Sequence, residues 1–188
     1  MQRTRSNGKR IILNILPYFI LFILVLIDKL TKLHFNNLYE NTDWKSTTVI
    51  NNFFYFTYTQ NSGAGFSFLA DKSWGQLFFK ILTAPALLLF VIILIKSVKK
   101  NKKWLIYSMI FVIAGTIGKY IYRLIFNKVS DFIALVFGSY HFPVFNIADV
   151  CLTIGAIMAI LYVLFISEDG LFRRKPTKKD GNKEDINN

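Results

Sequence analysis

Charge is scarce in this chain and cysteine is nearly absent. Of 188 residues only 18% are charged and one, Cys151, is a cysteine. No intrachain disulfide can close, which excludes a disulfide-stapled scaffold. No Cys/His group has metal-ligand spacing, and His34 and His141 have no triad partner in view. Ser62 and Ser67 lack a convincing general base, which leaves serine catalysis unsupported. No internal repeat of useful length is visible, and low complexity is confined to the C-terminal tail. What the chain has instead is apolar surface: 53% hydrophobic residues, 16% aromatic and a mean hydropathy of +0.39, bunched into runs. An ordinary soluble domain, disorder, collagen and coiled coil are excluded by that composition. A protein facing lipid, with its rings at the interface, fits it.

Four runs, about 11–33, 75–97, 104–126 and 145–167, are long and apolar enough to cross a hydrocarbon layer of ~30 Å. Backbone groups in lipid must pair within their own segment, so the runs are predicted as helices despite their Ile, Val and Phe content. The first run is longer than a signal-peptide core and is followed by DKLTK, not by a small-residue cleavage site, so it reads as a retained span. The expected architecture is all-α, with four transmembrane helices in one membrane domain, 11–167. A basic cytoplasmic tail, 1–10, precedes it and a charged one, 168–188, follows. Orientation comes from the cations. Four precede the first helix (Arg3, Arg5, Lys9, Arg10), five lie between the second and third, and six follow the fourth. Segments 34–74 and 127–144 hold only Lys45, Lys72 and Lys128. Both termini are therefore expected in the cytoplasm and the two long loops outside, in a multi-pass protein. The net charge of +12 is then an anchoring pattern directed at membrane lipids, and nucleic acid is not an expected partner.

In the outer loop 34–74, VINNFFYFTYTQ (49–60) alternates and is rich in β-formers, which predicts a strand or hairpin. It ends at NSGAG (61–65), where two glycines permit positive φ. Segment 132–145, broken by Gly138 and Pro143, is expected to be an interfacial stretch. Ionisable residues at membrane depth are costly, and each is a functional candidate. Asp28 and Lys32 are expected to end the first helix, Lys119 and Arg123 lie in the outer third of the third, Asp131 follows it, and Asn146 and Asp149 begin the fourth. All fall near the outer face. Two nearby carboxylates cannot both ionise cheaply, so Asp131 and Asp149 can share a proton and activate a water. The spacing of Asn146, Asp149, Thr153 and Ala156 predicts a stripe facing the bundle, with Asp149 buried. Gly115 and Gly118 offer a small face to another backbone or a substrate helix. Structural readings stand beside these: Asp28 and Lys32 make a favourable i,i+4 pair, Arg123 could snorkel to headgroups, and Cys151 is a small core residue.

Taken in order, DKLTK (28–32), QNSGAGFSFL (60–69), AGTIGKYIYRL (114–124), VSDF (129–132) and FNIADV (145–150) resemble the lipoprotein signal peptidase family, also called signal peptidase II. The resemblance spans about 11–167. It implies an intramembrane aspartic endopeptidase of the bacterial cytoplasmic membrane. Such an enzyme removes signal peptides from diacylglyceryl-modified prolipoproteins, on the amino side of the lipidated cysteine. A four-helix bundle with an extracytoplasmic β-cradle is the implied fold. The implied catalytic pair is Asp131 and Asp149. Asn61 and Gly63 match the substrate-contacting outer-loop motif, and Asp28, Lys32, Arg123, Asn146 and Ala148 match supporting positions. No metal or organic cofactor is implied, and a monomer is expected. Two positions depart from the family's G-N-x-x-D-R pattern: Lys119 replaces the Asn and Tyr122 the Asp. A cation reaching the two acids would favour their doubly ionised form, so an impaired paralogue that binds lipoproteins or signal peptides without cutting them is the alternative. Asn127 stands where a glycine is usual, a mild change because Asn tolerates the left-handed region.

Overall fold

A computed structural model describes residues 2–63, 74–167 and 170, with side chains described from residue 15 onward. The tail 168–188 lies outside this description save for Gly170, as do the side chains of the N-terminal tail and residues 64–73, which hold most of the block 60–69. Four long helices carry the chain: α1 (Gln2–Asn41), α2 (Gly75–Lys99), α3 (Lys103–Phe126) and α4 (Ile147–Leu161), the last continued by a π-helical stretch, Tyr162–Ile166. Among the described residues three spans are long and apolar enough to cross a membrane: Gly75–Lys99, Lys103–Phe126 and Ile147–Ile166. The expected first span, 11–33, begins among side chains outside the description.

These helices differ in how they meet lipid. Only 6% of the apolar window of α2 is buried against 56% of that of α3, so α3 is the central post and α2 an outer one. The core cluster joins Leu94 of α2 to Ile106, Met109, Ile110, Val112 and Ile113 of α3. Hydrocarbon solvates Leu as well as protein does, so helix contact here depends on close backbone approach and polar bonds. The α3·α4 seam uses both. A Cβ on Gly115 would lie 2.4 Å from the Ala148 carbonyl, and one on Gly155 2.7 Å from the Val112 nitrogen. Ser108 Oγ donates to the Gly155 carbonyl at 2.8 Å. The small face of α3 is therefore filled by α4 itself.

One antiparallel sheet, in the order β1-β2-β3-β4, caps the bundle. The predicted hairpin is present as β1 (Ser46–Ile50) and β2 (Phe54–Asn61), turning through Asn52 at φ 56. The stretch expected to be interfacial is largely β3 (Val129–Phe137) and β4 (Tyr140–His141), strands that the sequence reading did not name. Partnering explains them: β3 pairs with β2 from Phe54↔Leu135 to Asn61↔Val129, so its apolar run lies within a sheet. A correction concerns α1, which does not stop near Lys32 but runs on to Asn41. Its extra turns pack on the sheet: Phe35 stacks on Phe132 at 4.4 Å and Tyr39 on Tyr58 at 4.3 Å.

Candidate active site

Local chain reversals bring the acidic residues together. Asn127 closes α3 in the left-handed region at φ 57, as its side chain permits, and the chain enters β3 with Asp131 on its third residue. Gly138, at φ 62, turns the strand back through β4. Phe145 then bridges to Ile133, its carbonyl accepting from Phe132 N at 3.0 Å and from Ile133 N at 2.8 Å. The next residue, Asn146, is thereby set against Asp131. It is also the N-cap of α4, with a reciprocal capping box to Asp149.

One carboxamide therefore contacts the Asp131 carboxylate and the Asp149 backbone. Asn146 Nδ2 donates to Asp131 Oδ1 at 2.5 Å and to the Ser130 carbonyl at 3.1 Å. Its Oδ1 accepts from Asp149 N at 3.2 Å, while Asp149 Oδ2 accepts from Asn146 N at 3.3 Å. The other Asp131 oxygen accepts from Asn61 Nδ2 at 3.1 Å. Asn61 Oδ1 takes the Gly63 N–H at 2.8 Å, and the Gly63 carbonyl accepts from Arg123. Gly63 does not use a positive φ; it contributes its backbone polar groups. Arg123 does not snorkel: it is buried, with its guanidinium 4.3 Å over the Phe79 ring.

Behind this pair sits a second polar group. Asp28 Oδ1 accepts from Ala148 N at 2.9 Å, at the positive end of α4, and Asp28 Oδ2 accepts from Lys32 Nζ at 2.7 Å. Lys32 is fully buried, reaches the Gly118 carbonyl at 3.3 Å and lies 5.0 Å over the Tyr122 ring. Gly118 is required here, because a Cβ would lie 2.4 Å from Asp28 Oδ2. Tyr122 is buried, and its hydroxyl has no hydrogen-bond partner among the described residues.

The two acids differ in setting. Asp131 is 2% exposed, whereas the Asp149 side chain is 31% exposed. Burial pushes the Asp131 carboxyl above its ordinary range, and the Asp149 charge adds to this. The Lys119 ammonium and the Asn61 and Asn146 amides oppose it. Lys119 does not point away from the acids: its Nζ lies 2.7 Å from Asp149 Oδ1. The stripe expected to face the bundle is corrected as well. Thr153 and Ala156 are exposed, and the buried face of α4 is Ala148, Cys151 and Gly155. Asp149 and Thr153 line a groove of about 670 Å³ together with Asp131, Lys119 and Asn61. Beyond Thr59, Gln60 and Ser62 its remaining wall is apolar, including Leu135, Phe137, Phe142 and Ile154, a lining that composition alone did not single out. A continuous apolar run rich in β-formers along 132–137 was the available signal, concealed by the turn residues that follow. Among the described residues no group of three or more His, Cys, Asp or Glu is arranged to hold a metal ion.

A family model described as signal peptidase (SPase) II matches residues 20–165. A lipoprotein signal peptidase of Clostridium tetani is 38% identical over 152 residues, covering 80% of this chain and 92% of that protein. One of Pseudomonas putida is 37% identical over 140 residues, covering 74% and 81%. Among solved structures, a bacterial membrane enzyme determined by the in meso method is similar at a TM-score of 0.69 and 32% identity. That match covers 79% of this chain and 87% of the other.

Proposed function

Since this chain belongs to the signal peptidase II family, we propose that it is an aspartic endopeptidase that cuts prolipoproteins just before a diacylglyceryl-modified cysteine. The observation that carries the reading is the Asn146 side chain, hydrogen-bonded at once to the Asp131 carboxylate and to the Asp149 backbone at the wall of an open groove. Asp131 and Asp149 are the catalytic pair and hold one proton between them. One acid takes a proton from water as the water oxygen bonds to the scissile carbonyl carbon, and the other gives its proton to the carbonyl oxygen. In the collapse of the gem-diol, the first acid returns its proton to the departing nitrogen. The second recovers one from a hydroxyl as the C–N bond breaks and the carbonyl re-forms. Peptide and water become acid and amine, and the pair again holds one proton.

The remaining residues position. Asn61 and Asn146 orient Asp131, Gly63 and Arg123 tie the end of β2 to α3, and Asp28, Lys32 and Ala148 hold the start of α4. Two acyl chains would seat the substrate in the outer leaflet, beside the apolar wall of the groove, with the scissile bond at the depth of the acids. In this reading residues 11–167 are a single membrane domain, α1 is the fourth crossing, and both termini are cytoplasmic.

Purified protein and a diacylglyceryl-modified precursor test it. Wild type is expected to release the signal peptide, and Asp131→Asn and Asp149→Asn each to lose about 10²–10⁴-fold in kcat. Near wild-type turnover by either variant overturns the two-acid mechanism. Wild-type protein that retains the precursor without cutting it would instead identify a non-cleaving paralogue.

A further inference from the structure

The polar cluster contains three carboxylates and three cations, drawn from four elements. The β3 strand gives Asp131, α4 gives Asp149, α1 gives the Asp28–Lys32 pair, and α3 gives Lys119 and Arg123. The β2 residues lining the groove, Thr59, Gln60 and Asn61, carry no charge. Two of the cations are committed elsewhere: Lys32 to Asp28 and the Gly118 carbonyl, Arg123 to the Gly63 carbonyl and the Phe79 ring. Lys119 alone among the described cations forms an ion pair with a dyad oxygen, and its side chain is 18% exposed, on the groove wall.

Its contact is one-sided. Asp149 has the ammonium on Oδ1 at 2.7 Å and sits in the first turn of α4, where the helix favours an anion. Asp131 is buried, and its oxygens accept from the neutral amides of Asn61 and Asn146. We infer that Lys119 is a positioning residue that makes the two aspartates unequal, its ammonium pairing with Asp149 as the base and leaving the shared proton on Asp131. This rests on the two-acid reading and assigns its roles. Asp149 takes the proton of the attacking water and delivers it to the leaving nitrogen. Asp131 protonates the carbonyl oxygen and recovers that proton as the carbonyl re-forms. The lysine at this position, where the resemblance implies asparagine, thus directs the proton traffic and does not disable the pair.

The pH dependence of kcat/KM is the test, measured on Lys119→Asn, Lys119→Gln and Lys119→Arg in the full chain with the lipidated precursor. A cation beside the pair favours its ionised forms, so removing it makes both ionisations of the pair occur at higher pH. Both neutral variants should cleave, with the acid limb displaced upward by about one pH unit and the alkaline limb by less, because the ammonium lies against Asp149 and not against Asp131. Lys119→Arg should keep the wild-type limbs. Unmoved limbs in a neutral variant that folds, with the loss confined to KM, would overturn the assignment and make Lys119 a substrate contact. So would failure of Lys119→Arg to restore the limbs. Turnover retained by Asp131→Asn or Asp149→Asn would sink the underlying mechanism, whatever the lysine variants do.

Discussion

Asp131 combines a buried carboxyl with amide donors on both of its oxygens. Its proton is held more tightly in the folded protein than in the unfolded chain, because burial outweighs the opposing partners. The linkage sign follows. Its contribution to stability is fully present below the ordinary carboxylate value of about 4 and is lost as pH climbs toward the raised folded value. Thermal unfolding in detergent micelles should therefore show wild type losing stability relative to the non-titrating Asp131→Asn as pH rises above about 4. A difference that stays flat, or that grows in favour of wild type, contradicts this. At this scale much was legible in the sequence. Asp131, Asp149, Lys32 and Arg123 stood out because an ionisable group near lipid demands a partner. The exposure of Asp149 was not legible: helical spacing puts it in line with Thr153, but which side of that stripe meets protein is decided by Gly115 and Gly155 at the α3·α4 seam.

Among the elements, α1, α3 and α4 meet at Asp28. Its carboxylate closes the start of α4, neutralises Lys32 and occupies the space that Gly118 leaves open. Asp28→Ala would strand the fully buried Lys32 ammonium, and breaking a buried pair from one side costs about 3–5 kcal/mol. The double variant Asp28→Ala/Lys32→Met should recover most of that loss in micelle unfolding. Equal losses from the single and double changes would show that the pair is not what couples these helices. The i,i+4 spacing of Asp28 and Lys32 was readable, but their mid-helix place was not. Beyond Lys32 the sequence turns polar, and α1 continues with Phe35 and Tyr39 packed against Phe132 and Tyr58 of the sheet. The β3 strand escaped for a related reason. Gly138 and Pro143 signal a break, while the strand preceding them depends on β2, a partner about 70 residues earlier.

For the molecule as a whole, cations flank the α2–α3 connection at Lys99, Lys100, Lys102 and Lys103, and the sheet lies at the opposite ends of those helices. Positive charge is retained on the cytoplasmic side. In a Cys151→Ala background, an Asp43→Cys thiol beside β1 should react with a membrane-impermeant maleimide added to intact cells. A Lys100→Cys thiol should react only after the membrane is opened. The reverse pattern would invert the topology. Helix existence was the most legible feature at this scale, since lipid leaves the backbone little alternative. The assembly of the sheet over the bundle was not, because it depends on pairings between segments distant in sequence.

The position of Asp149 on the first turn of α4 makes that helix a ruler. From Ile147 to Ile166 it has 20 residues, about 30 Å of rise and close to one hydrocarbon thickness. A thicker leaflet would sink Asp131 and Asp149 below the headgroup water that the proposed hydrolysis needs, and a thinner one would lift them clear of the acyl chains. Turnover should therefore peak at a particular acyl length in reconstituted vesicles, so that the bilayer itself becomes a determinant of rate.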